Sequence, residues 1–311
     1  MHRRMTGEAL VAARRRTYEC WHGPFGRDED TMGRFGISVA AAFSMLLAFD
    51  ATTRAEVTEG SSDVPPASGQ PMGRAAVRRG VQAPGGLFTA RLLLLVNAST
   101  DNFGKPTSFA PDLFYGVSDN VQIGLRHTGP MGWQSRPGVG LCLTGTDNGC
   151  PKVYDNVGLD FMYGLLYGDF HLSLHSSLFL LPIAEPTGVM WTIGVTGKFH
   201  FADAVALFFD PQVGVILANR DAHEDQLFIP VELAFQATAA ISLKVLSGVT
   251  GQLSALGDTY QVPLGLGAVG NLSRHLDLGL RFSFDNLRGN VPAGASRTDA
   301  RSIGLLVTVR T

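Results

Sequence analysis

The chain has 311 residues, of which 45% are hydrophobic and 17% are charged, with a formal net charge of -2. With no basic cluster in its second half, it carries no electrostatic footprint for nucleic acid, and no nucleic-acid partner is expected. After residue 60 no stretch offers the ~18 unbroken apolar residues of a membrane helix. The apolar content therefore indicates a large buried β core or a barrel with an apolar outer face.

The first predicted element is a targeting segment. Arg34 precedes an apolar run that ends at Phe49, and Thr53-Arg54-Ala55 places small residues at the -3 and -1 positions of a cleavage site. Residues 32–55 are therefore predicted to be a signal peptide, which implies export from a Gram-negative cell.

Two segments flank that signal peptide. Residues 1–31 are Arg-rich without an apolar period, and we expect an N-terminal extension or a mis-assigned start, with translation beginning at Met32. Residues 56–85 are rich in Ser, Gly, Pro and charge, which predicts a flexible periplasmic linker.

From about residue 86 to residue 311 the chain alternates with a period of two, which a helix of period 3.6 would not preserve. In residues 276–285, for example, five Leu or Phe alternate with Asp277, Gly279, Arg281, Ser283 and Asp285. Short breaks between the segments alternate with longer ones, which is typical of bacterial barrels with tight periplasmic turns and long outer loops.

Counting the segments predicts an all-β fold, an antiparallel up-and-down transmembrane β-barrel of about 12 strands. The predicted strands are 87–98, 107–117, 120–129, 155–167, 170–182, 188–201, 204–217, 226–237, 240–254, 260–272, 275–286 and 301–310. Segment 137–144 also alternates weakly. We place it in the long outer loop 129–154, because a thirteenth strand would make the number of strands odd, whereas bacterial barrels have an even number.

Residues 111–127, PDLFYGVSDNVQIGLRH, resemble a strand–turn–strand hairpin common in bacterial outer-membrane β-barrel proteins, and residues 162–175 and 194–209 resemble two more. The resemblance is one of pattern, without a signature motif. It implies a bacterial outer-membrane location, a porin-like or transporter-type protein and insertion by the barrel-assembly machinery. The ending Val309-Arg310-Thr311 departs from the aromatic final residue usual in these proteins and puts the insertion signal in doubt.

Three features predict that the apolar face meets outer-membrane lipid: the signal peptide, strands longer than those of soluble sheets, and a polar face with charges of both signs. Counted from the turns, Asp112 falls nearly opposite Arg126, and Glu232 nearly opposite Lys244. The predicted lumen-lining residues are Asp112, Arg126, Asp160, His171, His175, Lys198, His200, Asp210, Glu232, Lys244, Asp277, Arg281 and Asp285.

Two cysteines, Cys142 and Cys150, lie eight residues apart in a Gly- and Asp-rich stretch. In an exported protein they are candidates for a disulfide, which would stabilise the loop by roughly 2–3 kcal/mol. Two free thiols are the alternative.

Enzymatic chemistry and cofactors are not expected. Ser and His residues alternate on the polar face of 170–178, but neighbours two apart on a strand are ~7 Å apart, too far for a Ser–His hydrogen bond. His171 and His200 lie on paired strands, yet no third metal ligand is evident. The chain contains no phosphate loop and no dinucleotide fingerprint.

These observations leave three hypotheses. The first is a porin-like channel for small polar solutes, with the lumen residues setting selectivity. The second is the same barrel, occluded, acting as a structural or adhesion protein through its outer loops. The third is a secreted soluble β protein that binds an apolar ligand inside.

Overall fold

The structure is a computed structural model that describes residues 75–181, 183, 187–289 and 296–311. The predicted signal peptide, the N-terminal extension and residues 56–74 lie outside the described residues. Among the described residues, no helix is long and apolar enough to cross a membrane.

The described chain forms strands whose ladder pairings are all antiparallel. They are β1 (Phe88–Asn97), β2 (Thr107–Ser118), β3 (Val121–Arg126), β4 (Leu141–Cys142), β5 (Val157–Leu166), β6 (Phe170–Leu181), β7 (Gly188–Ala202), β8 (Val205–Phe209), β9 (Gln212–Ala218), β10 (Gln226–Thr238), β11 (Ile241–Gln252), β12 (Gln261–Asn271), β13 (Leu276–Gly289) and β14 (Arg301–Arg310). Within residues 75–181, 183, 187–289 and 296–311, helical structure is limited to single turns at Ala76–Arg78, Gly132–Gln134, Thr146–Asn148, Leu253–Ala255 and Leu256–Thr259.

The sheet closes on itself because β1 pairs with both β2 and β14. With β8 and β9 counted as one interrupted strand and β4 set aside, the described residues form a twelve-stranded barrel, which confirms the predicted fold class. Tight turns, such as the one between β2 and β3, all lie at the end where β1 begins and β14 ends. We call this the short-turn end and the opposite one the long-loop end.

Two strands differ from the prediction. The predicted strand 204–217 is interrupted at Pro211, which has no amide hydrogen to donate to a ladder. Around the break, the carbonyl of Pro211 accepts a hydrogen bond from the amide of Val195 at 3.2 Å. The predicted strand 120–129 ends at Arg126, because the Asp112 carboxylate accepts the next two backbone amides, of His127 and Thr128.

The weakly alternating segment 137–144 lies outside the barrel ladder, as expected. It supplies only the two residues of β4, which pair with Ser108 and Phe109 near the long-loop end of β2.

Candidate lumen site

The predicted lumen residues are all buried or partly buried. Nine of the thirteen are buried: Asp112, Arg126, Asp160, His171, His175, Lys198, His200, Asp277 and Arg281. The other four, Asp210, Glu232, Lys244 and Asp285, are partly buried. Because side chains alternate across a strand, the strand residues between them point outward.

The outward face is apolar. Leu280 is 53% exposed, whereas the next residue, Arg281, is 2% exposed. The same contrast recurs around the barrel, where the exposed large side chains include Leu113, Tyr115, Ile123, Leu159, Phe161, Leu178, Trp191, Leu266, Leu278 and Leu305. A closed barrel with an apolar exterior and a charged interior is built for a lipid bilayer. The chain is an outer-membrane β-barrel. Its tight turns therefore mark the periplasmic end, and its longer loops the outer end.

A buried charge network lies on the wall formed by β3, β5 and β6. The Arg126 guanidinium donates to an Asp160 oxygen at 3.1 Å. The His175 ring lies between two carboxylates, with Nε2 2.9 Å from Asp160 and Nδ1 2.7 Å from Asp210. Most charged groups of this network are paired with another member of it. Such pairing offsets the cost of removing a charge from water.

The two predicted ion pairs turn out differently. Glu232 and Lys244 form one, at 2.7 Å. Asp112 and Arg126 form no ion pair. Asp112 instead accepts the His127 and Thr128 amides and the Thr128 hydroxyl, whereas Arg126 turns to Asp160. The positions of Asp112 and Arg126 in the register did not determine their partners. The backbone amides just beyond β3 have no strand partner and compete with Arg126 for the Asp112 carboxylate.

The two buried Ser residues of β6, Ser173 and Ser177, hydrogen-bond to an amide and a carboxylate side chain and not to a His ring. The Ser177 hydroxyl donates to Asp160 at 2.8 Å, and the Ser173 hydroxyl donates to the side-chain oxygen of Gln82 at 3.0 Å. His171 lies opposite Lys198 in the ladder. Within the described residues, no group of three His, Cys, Asp or Glu side chains could hold a metal ion.

Residues 75–86 enter the periplasmic end of the barrel, and we call them the N-terminal plug. All but the last of them belong to the segment 56–85, which the sequence analysis placed in a flexible linker. Arg79 forms a 2.5 Å ion pair with Asp277, which also pairs with Arg310 at 2.6 Å. The Lys198 ammonium donates to the backbone carbonyls of Val77 and Arg79, at 3.2 and 2.9 Å. Lumen side chains thus take over the backbone hydrogen bonds that a segment without strand pairing needs.

Part of the long loop between β3 and β5 folds inward as well. In residues 129–136, the inner loop, the Trp133 side chain packs with Leu93, Val269 and Leu306. A Cβ atom on Gly279 would lie 2.6 Å from the Trp133 ring, so the wall has room for the indole only because that position is glycine. Arg281 donates to the Ser135 carbonyl and fixes the loop to β13. The sequence analysis missed both the plug and the inner loop.

A chamber of about 330 Å³ lies between the N-terminal plug and the inner loop. The plug contributes Arg79 and Gln82, the inner loop contributes Met131 and Trp133, and the wall supplies charges of both signs. These wall charges are Arg91, Arg126, Asp160, Asp210, Glu232, Lys244, Asp277 and Arg310. The centre of the lumen is therefore a small, mixed polar and apolar space.

The outer part of the same loop is cross-linked. Cys142 and Cys150 form a disulfide with Cα atoms 6.0 Å apart, so the structure has the bonded alternative rather than two free thiols. Asp155, just before β5, joins this region to its surroundings: its amide donates to the Gly140 carbonyl, and its carbonyl accepts from Ile183.

Asp155 makes this outer loop sensitive to pH. Burial raises the pKa of its carboxyl group to about 6, from an unfolded value of about 4. Because the folded pKa is the higher one, the folded loop is most stable below about pH 4 and loses stability as the pH rises toward 6. We expect Asp155→Asn to remove this dependence, so that at pH 7.5 its loop is cleaved severalfold more slowly than that of the wild type.

Limited proteolysis at pH 4.5 and pH 7.5, normalised to cleavage of an unstructured peptide, measures the effect. Asp147→Asn changes an exposed carboxylate of the same loop and serves as the control, with no expected change. A wild-type loop that is equally resistant at both pH values would contradict the prediction.

No protein-family model matches the sequence, and no curated protein matches it. Among solved structures, the chain is similar to the NanC porin, at 5% identity and a TM-score of 0.47, with 71% of this chain and 98% of that one covered. It is also similar to an outer membrane channel from Pseudomonas putida F1, at 12% identity and a TM-score of 0.46, covering 73% and 96%. The KdgM porin in complex with oligogalacturonate gives 7% identity and a TM-score of 0.45, covering 72% and 97%. The assignment as a barrel rests on the strand pairing and burial of this chain itself.

Proposed function

We propose that this barrel is a porin-like channel for small polar solutes. The observation that carries the proposal is the central chamber, which is lined by charged side chains of both signs and by residues of both the N-terminal plug and the inner loop. A lumen of twelve strands leaves only a narrow passage, and the N-terminal plug and the inner loop narrow it further. The channel therefore suits small solutes rather than oligomers.

A second candidate is an occluded barrel that acts through its outer loops. The N-terminal plug favours it, because Arg79, Val77 and Gln82 are bonded to four separate strands or turns of the wall, through three side chains and one backbone carbonyl. The disulfide in the outer loop also suits an exposed, persistent surface. The third hypothesis, a soluble protein with an apolar interior, is opposed by the buried Asp, Arg, Lys and His side chains.

Single-channel conductance in planar lipid bilayers tests the first candidate against the second. We expect the protein, purified from outer membranes in detergent, to give small, discrete conductance steps in potassium chloride. Heat-modifiable migration on a gel is the control for a folded barrel. Folded protein that gives no steps above the bilayer background would refute the channel and leave the occluded barrel. Insertion by the barrel-assembly machinery stays a prediction.

A further inference from the structure

Arg91 presents unused hydrogen-bond donors to the central chamber. Its guanidinium makes no hydrogen bond to any described residue, and its nearest charged partner is an Asp112 oxygen at 3.8 Å. The side chain is 34% exposed and faces the chamber, where it stacks over the Phe114 ring at 4.9 Å. A guanidinium offers five N–H donors in a planar arrangement that matches a carboxylate.

Asp112 does not take up these donors, because its Oδ2 lies 3.8 Å from the Arg91 Nε, beyond hydrogen-bond distance. One oxygen accepts the amides of His127 and Thr128, at 2.7 and 3.1 Å, and the other accepts the Thr128 hydroxyl at 2.7 Å. The Asp112 side chain is fully buried behind Arg91. It therefore holds the guanidinium in place while leaving its outward N–H groups for something in the chamber.

A second arginine faces the same space. In the β1–β14 ladder Arg91 pairs with Thr308, and Thr89 pairs with Arg310. The two arginines therefore lie on the same face of the sheet, on adjacent strands and two residues out of register. Arg310 uses Nη2 for Asp277, whereas its buried Nη1 has no hydrogen-bond partner among the described residues. An anion beside Arg91 thus also lies near the positive charge of Arg310, which lines the same chamber.

The chamber wall beside these arginines is apolar. Trp133, Leu306 and Val269 pack together next to Leu93, which is the next inward residue of β1 after Arg91. Phe114 and Met162 also line the chamber. On the other walls Asp160, Asp210 and Glu232 would repel a second negative charge. The site therefore combines one anion-binding edge with an apolar surface, at a volume near the lower end of ligand pockets, about 300 Å³.

We infer that the chamber binds a small organic monocarboxylate, with its carboxylate on Arg91 and its apolar body against Trp133 and Phe114. Benzoate represents this class. The inference rests on the proposed function only in that the same chamber would lie on the solute path.

Tryptophan fluorescence tests the inference, because Trp133 lines the chamber. The full chain has three tryptophans, and the double variant Trp21→Phe/Trp191→Phe leaves Trp133 as the sole reporter. We expect benzoate to produce a saturable change in its emission. Benzamide, which lacks the charge, and acetate, which lacks the apolar body, are expected to give at least about tenfold weaker binding.

In the same background, Arg91→Gln is expected to weaken benzoate binding by about tenfold or more, because a charge-assisted pair is lost. Arg220→Gln, which changes an exposed outer-loop arginine, is the matched control and should bind like the parent. Heat-modifiable migration verifies that each variant is folded. If Arg91→Gln does not fold, the comparison of benzoate with benzamide decides the question on the parent protein.

Three results would overturn the inference: no saturable response to benzoate, equal binding of benzamide, or benzoate affinity unchanged in Arg91→Gln. Its failure is distinguishable from failure of the channel. Conductance steps without benzoate binding would overturn the monocarboxylate site alone. Benzoate binding without conductance would overturn the channel and support the site.

Discussion

Replacing Leu280 by arginine is expected to destabilise the barrel by about 2–4 kcal/mol, the cost of a positive charge on the lipid face near the bilayer midplane. Leu280 points outward and pairs with Leu305, which lies midway along β14. The new side chain would meet lipid, whereas the arginine at the next position meets the lumen. Reversible folding into phospholipid vesicles over a urea series measures the change in unfolding free energy.

Leu272→Arg is the matched control. Leu272 is as exposed as Leu280 but lies in the tight turn between β12 and β13, at the periplasmic rim. Arginine near the interface costs only about 0–1 kcal/mol. Equal stabilities of the two variants would mean that the apolar face of β13 does not contact lipid.

Deleting the N-terminal plug, residues 75–86, is expected to raise single-channel conductance severalfold. The plug lies inside the periplasmic end of the barrel, where Lys198, Gln236 and Gln122 bind its backbone. Removing it leaves water in its place and widens the lumen at the periplasmic end. Asp277 keeps Arg310 as a partner, so the deletion does not leave that carboxylate unpaired.

A deletion of residues 57–68 removes the same number of residues upstream and leaves the plug intact. It should conduct like the wild type. If removal of the plug, in a barrel that still migrates as folded, leaves conductance unchanged, the plug does not limit the passage.

The strands were predictable because successive side chains of a strand point to opposite faces. When one face is apolar and the other polar, the sequence alternates with a period of two. The segment 276–285 alternates Leu and Phe with polar residues, and the structure points Leu280 out and Arg281 in. The thirteen predicted lumen positions follow from the same alternation, and the alternating short and long breaks determined the strand number. A strand that points its polar residues outward would have to be shifted by one residue in the ladder, and such a shift would move every side chain of that strand to the other face.

The contents of the lumen were not predictable in that way. The plug has the Ala, Gly, Pro and Arg composition of a linker, and its backbone is satisfied by side chains more than a hundred residues away, such as Lys198 and Gln236. The position of Trp133 depends on a glycine at 279, which local pattern does not connect to it. Likewise, the register placed Asp112 opposite Arg126 but did not show that free amides would capture the carboxylate.

The ties across the lumen also join distant parts of the chain. Arg281 of β13 holds the Ser135 carbonyl across 146 residues of sequence, and Asp277 holds Arg79 across 198. Both ties therefore depend on the last hairpin, β13–β14. A barrel without this hairpin has an open edge and lacks one tie to the inner loop and one to the plug. Loss of the last two strands would therefore loosen the contents of the lumen as well as open the wall, although earlier strands still bind the plug, for example through Lys198.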